Sequence, residues 1–173
     1  AAVLKKYPKA HLMIAGKGPS EDKIKDILTR EGVESRLHLV GVVKGQELIN
    51  AYRAMDVFLF ASQSETQGMV LTEAMAAGIP VVAVDASGAR EVVEDTINGR
   101  ILPQENLKDF VSAIEWMIER NPKKIKEMKI KCRETADKFS MKKSVDKISA
   151  IYISLIVQGF VRRSSENSPW DGT

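Results

Sequence analysis

Short apolar runs alternate with helical spacing from the N-terminus to about residue 103. His11–Ala15 (HLMIA) reads as a strand, ended by Gly16-Lys17-Gly18-Pro19. Ser20 then caps a helix running from Glu21 to about Arg30, with Ile24, Ile27 and Leu28 on one face. Leu37–Val40 is the next strand, broken by Gly41, and Gln46–Ala54 carries helical spacing at Leu48, Ile49 and Tyr52. Val57–Ala61 (VFLFA) is a continuous apolar run of the kind buried on both faces of a sheet. A helix over Gly68–Ala77 stops at Gly78, and Pro80–Val84 forms a strand entered through proline. A short helix over Arg90–Glu94, a turn at Asn98-Gly99 and a last strand over Arg100–Pro103 complete this part. Strands separated by helices of roughly ten residues require right-handed crossovers, so the expected fold is α/β with a doubly wound parallel sheet.

Beyond Asn106 the pattern is purely helical. Leu107, Val111, Ile114, Met117 and Ile118 mark one helix that Asn121-Pro122 ends. A second passes through Ile125, Met128 and Cys132, and Ser140 caps a third bearing Val145, Ile148, Ile151, Tyr152 and Leu155. The polar tail from Ser164 lacks periodicity and is expected to be disordered, which leaves one domain over residues 1–163.

At 173 residues, 44% hydrophobic and 28% charged, the chain has the balance of a globular domain. No run approaches the roughly 20 apolar residues that cross a bilayer. One cysteine, Cys132, permits no internal disulfide and fits a cytoplasmic setting. The net charge of +3 is too small to argue for nucleic acid. From Arg120 to Lys147 there are eleven Lys or Arg against four Asp or Glu. This stretch is a solvated face that would also suit peripheral contact with an anionic membrane surface.

The chemistry concentrates in Ala61–Pro80, ASQSETQGMVLTEAMAAGIP. Glu65 sits in the loop after an apolar strand, and Glu73 sits eight residues on, about one turn into the next helix. Loops after the carboxyl ends of parallel strands are where open α/β sheets bind ligands. The first amides of that helix, around Gln67, Gly68 and Met69, lack intrahelical partners and favour an anion. Gly68 lets a phosphate approach the backbone. A carboxylate one turn further accepts two hydrogen bonds from a vicinal diol such as ribose, and one in the preceding loop can hold sugar hydroxyls. Acidic residues there also stabilise a helix start, and Ser64-x-x-Gln67 is a legitimate capping box. Lys17 lacks the spacing of a phosphate loop and reads as a turn residue. His11 and His38 lack metal-ligand spacing and read as structural. Cys132 has apolar neighbours and no nucleophile motif.

This segment resembles the E-x7-E signature of glycosyltransferase family 4, retaining enzymes of GT-B architecture. The resemblance extends to about Leu155 through the turn Gly16–Pro19, LHLVG, AMDVFLFAS, EAMAAGIPVVA and INGRIL, in that order. It implies a Rossmann-like donor domain, the C-terminal half of GT-B, that binds a nucleotide-diphosphate sugar of UDP or GDP type. No separate cofactor and no metal are implied. Glu65 would be the catalytic residue, contacting donor-sugar hydroxyls near the reacting carbon, and Glu73 would hold the ribose. Thr66, Gln67, Gly68 and Met69 would line the distal phosphate and sugar, and Val42-Val43 after Gly41 would border the base. The implied reaction moves a hexose to a hydroxyl acceptor, a lipid or a glycan, on the cytoplasmic side.

The family's first donor-domain strand, its Arg and Lys for the diphosphate, and its N-terminal acceptor domain have no counterpart in this sequence. The domain is therefore expected to be N-terminally truncated, inactive alone and marginal as a monomer, with two strands left unpaired. Two further readings stand beside this one. The first is a non-catalytic nucleotide-sugar module completed by a partner chain. The second is another GT-B-like enzyme, such as a sugar-nucleotide epimerase or a phosphorylase.

Overall fold

The computed structural model describes the backbone of residues 1–63 and 68–166 and the side chains of residues 1–63 and 68–156. In chain order the first elements are α1 (Ala2–Lys6), β1 (Leu12–Ala15), α2 (Glu21–Arg30), β2 (Leu37–Gly41) and α3 (Gly45–Arg53). There follow β3 (Phe58–Phe60), α4 (Met69–Ala76), β4 (Val81–Val84), α5 (Ser87–Val92) and β5 (Gly99–Leu102). The chain closes with α6 (Leu107–Ile118), α7 (Pro122–Lys138) and α8 (Met141–Glu166). Two units emerge, residues 1–136 and 137–173.

All strand pairs are parallel, as the crossovers demand. The strands form two sheets, β1-β2 and β3-β4-β5. Among the described residues β1 therefore pairs only with β2, and β3 only with β4, so each keeps one open edge.

The central strand β4 (VVAV) is fully buried and sends alternate side chains to opposite layers. Val81 and Ala83 join Tyr52, Leu71, Met75, Ala89 and Val92 on the α3–α4–α5 side. Val82 joins Leu102, Ala113, Met117 and Met128 on the α6–α7 side. Each buried valine contributes about 1.5–3 kcal/mol by leaving water. A smaller cluster of Leu4, Leu28 and Val33 packs with Leu12 and Leu37 of the β1-β2 sheet.

Several expectations need correction. Phe58, Leu59 and Phe60 are only half-buried: they pack into both layers, but β3 has a strand neighbour on one side only, whereas β4 has one on each side. Helix α5 begins at Ser87, three residues before Arg90, and ends at Val92. Leu107 is 82% exposed: α6 packs through Phe110, Ala113 and Met117, so its apolar stripe starts one turn in. Ser20 occupies the N-cap of α2 without a capping bond. Glu21 instead reaches back to accept from the amide of Gly18 at 3.3 Å. Ser164 to Glu166 continue α8, so the expected tail begins no earlier than residue 167, and residues 167–173 lie outside the described part. Among the described residues no helix is long and apolar enough to cross a membrane.

Candidate functional site

Gly68 is the N-cap of helix α4 and sits at φ 64° in the left-handed region. A Cβ there would fall 2.5 Å from the carbonyl oxygen of Gly88 and 3.3 Å from Val92. The position thus demands glycine twice over, by dihedral and by close approach of α5. The first intrahelical bond runs from the amide of Thr72 to the carbonyl of Gly68 at 2.9 Å. As the N-cap, Gly68 has no side chain with which to cap the amides of the helical turn that follows it. Met69, the first helical residue, is exposed.

Glu73 lies one turn further along α4 and is exposed at the surface. Its carboxylate Oε2 accepts a 2.9 Å hydrogen bond from the hydroxyl of Tyr52. Tyr52 is 6% exposed, in the last turn of α3, with its ring tilted 60° against Phe58 at 5.7 Å. Burial first, and the bonded carboxylate second, push the phenol above its ordinary value, so it stays protonated and donates.

Val42 is exposed and Val43 half-buried in the turn between β2 and α3. Gly41, at φ 69°, accepts from the amide of Gly16 at 2.7 Å, so the turns after β1 and β2 are tied together. The Lys17 stem lies 3.9 Å from where a Cβ on Gly41 would project. The structure thus joins Gly68, Met69 and Glu73 on one helix start. Val42 and Val43 connect to them through α3. Glu65, Thr66 and Gln67, with the capping box from Ser64, lie outside the described residues.

The histidines pair with each other: His11 Nδ1 and His38 Nε2 are 2.9 Å apart, linking β2 to the residue before β1. Cys132 is fully buried and donates to the carbonyl of Asn98 at 3.2 Å, and burial pushes its thiol up to about 12. Among the described residues no group of three or more His, Cys, Asp or Glu gathers to hold a metal ion.

Sequence reasoning missed two residues. In the sequence Tyr52 stands out only as part of an apolar helix face, although a tyrosine on such a face carries a hydroxyl that needs a partner. Asn98, beside Gly99, has the sequence signature of a turn. It is fully buried, donates to the carbonyl of Val92 at 2.9 Å and the hydroxyl of Thr135 at 3.0 Å, and accepts from the amide of Glu94 at 2.9 Å.

Parallel strands crossed by helices on both faces, with a glycine-started helix following a strand and a carboxylate one turn in, define a Rossmann-like α/β domain. The model of the family "Glycosyl transferases group 1" matches residues 1–139, and the chain belongs to that family. A D-inositol 3-phosphate glycosyltransferase of Saccharomonospora viridis is 31% identical over 147 residues, covering 82% of this chain and 34% of its own length. HepE of Anabaena, solved in complex with UDP, is 25% identical with a TM-score of 0.74, over 88% of this chain and 43% of that one. The pneumococcal O-GlcNAc transferase GtfA, solved with UDP and GlcNAc, reaches a TM-score of 0.76 at 23% identity and shows the shared GT-B fold. It covers 90% of this chain and 31% of its own. The chain spans about a third of the length of the curated relatives it matches.

Proposed function

We propose that this chain is the donor-binding part of a retaining, family 4-type hexosyltransferase that takes its sugar from a nucleoside diphosphate. The observation that carries this reading is Glu73, held one turn into a glycine-started helix with its carboxylate tied at one oxygen by Tyr52. The arrangement suits a ribose diol at the carboxylate and an anionic phosphate at the helix start. In transfer, the acceptor oxygen bonds to the anomeric carbon while the bond to the diphosphate breaks. The electron pair leaves with the diphosphate, and the proton of the acceptor hydroxyl passes to a departing phosphate oxygen. Negative charge grows on the leaving group, so fixed positive dipoles aimed at it lower the barrier. Glu65 would meet the sugar hydroxyls beside the reacting carbon, and Thr66, Gln67, Gly68 and Met69 the distal phosphate. Val42-Val43 would border the base. The hydroxyl acceptor, a lipid or a glycan, would be chosen by a half of the enzyme that these residues do not include. UDP bound to a structural relative supports the nucleotide class.

The test is steady-state kinetics and donor binding in the intact protein. Glu65→Gln should lower kcat, whereas Glu73→Ala should chiefly raise the donor KM. If both variants match the wild type, the assignment fails.

A further inference from the structure

We infer that Tyr52 is a positioning residue for donor binding, fixing the Glu73 carboxylate in the orientation that a ribose diol requires. The inference rests on Glu73 being the ribose ligand. An exposed glutamate on a helix turns freely about its side-chain bonds, and a bidentate contact with a diol must freeze them, at a cost of about 1–2 kcal/mol. Here the freezing is done before ligand arrives. The Tyr52 hydroxyl donates to Oε2 at 2.9 Å, which leaves Oε1, and a lone pair on Oε2, to accept from two hydroxyls.

The tyrosine that donates is itself buried. Tyr52 belongs to the main core with Leu71 and Met75, and its ring packs on Phe58. Its raised phenol keeps the proton throughout the neutral range, so the bond has one polarity. The same helix begins just after Val42-Val43, so α3 would couple the turn beside the base to the group that holds the ribose. A buried tyrosine needs a partner in any case, and a purely packing role would predict a stability change that ignores the ligand.

Calorimetry on the intact protein separates these roles. UDP and GDP are titrated into the wild type, and the tighter nucleotide is carried forward with its 2′,3′-dideoxy analogue. Tyr52→Phe should weaken binding about fivefold and Glu73→Gln by tenfold or more, in line with the loss of one hydrogen bond to a charged group. The double variant should be no weaker than Glu73→Gln, and neither substitution should alter binding of the dideoxy nucleotide. In turnover, Tyr52→Phe should raise the donor KM and leave kcat unchanged. If neither nucleotide binds, or Glu73→Gln binds like the wild type, the ribose reading falls, and this inference with it. If Glu73→Gln weakens binding but Tyr52→Phe does not, or Tyr52→Phe weakens the dideoxy nucleotide equally, only the positioning role is overturned. Thermal denaturation of each variant shows whether folding is intact.

Discussion

At Gly68 the backbone, not a side chain, sets the requirement. Alanine there must adopt φ 64° and place its Cβ 2.5 Å from the Gly88 carbonyl, an obstacle that a rotamer change cannot clear. The two penalties together cost about 3 kcal/mol. Gly68→Ala is expected to lower Tm by several degrees, and nucleotide binding with it, if α4 shifts away from α5. A wild-type Tm would contradict the close approach. Asn98 makes the complementary case. Removing its side chain leaves the Val92 carbonyl and the Thr135 hydroxyl each short of a hydrogen bond in a buried site, at a cost of about 3 kcal/mol. Asn98→Ala should therefore shift the urea midpoint down without changing the slope. Cys132 lies against the same residue, fully buried with its thiol raised to about 12, so little thiolate forms at pH 8. An aromatic disulfide reagent at that pH should label it only on the timescale of unfolding. Prompt labelling of the folded chain would refute the burial.

At the scale of elements, the open edges of β1 and β3 have a dynamic consequence. A strand paired on one side leaves alternate amides without a ladder partner, whereas β4 is bonded on both sides by β3 and β5. Hydrogen exchange in a dilute monomer should find β4 slowest. Amides at His11–Ala15 and Val57–Ala61 should show fast positions interleaved with protected ones. Uniform protection of both would overturn this expectation. Here the limit of sequence reading becomes physical. VFLFA and VVAV are both unbroken apolar runs, and local pattern cannot tell how many neighbours each strand has. The element order was legible because polar loops and glycines punctuate it. Helix ends drifted where no strong signal stood, as at α5. The site divided the same way. Glu73 and Gly68 were visible through their spacing, whereas the Tyr52–Glu73 bond joins residues 21 apart and arises only when α3 and α4 pack.

At the scale of the whole chain, the unit from residue 137 onward poses a solvent problem that its charges do not solve. Val145, Ile148, Tyr152 and Leu155 recur at helical spacing on α8, and Ile151, Ile153 and Ile156 widen the apolar surface. Every one of these side chains is more than half exposed. Scattered surface leucines are ordinary, but a contiguous face of this breadth drives association, since each buried side chain gains about 1.5–3 kcal/mol. Lysines flank it at Lys142, Lys143 and Lys147, and Lys143 is already paired with Asp137. Their repulsion weakens as salt rises, whereas the apolar attraction does not. The 173-residue chain by itself is therefore expected to self-associate as its concentration rises, more strongly at high salt, in light scattering coupled to size exclusion. Replacing Ile148, Ile151 and Leu155 with serine should reduce that association. A wild-type chain that stays monomeric at every salt concentration would show that the α8 face is covered within a single molecule.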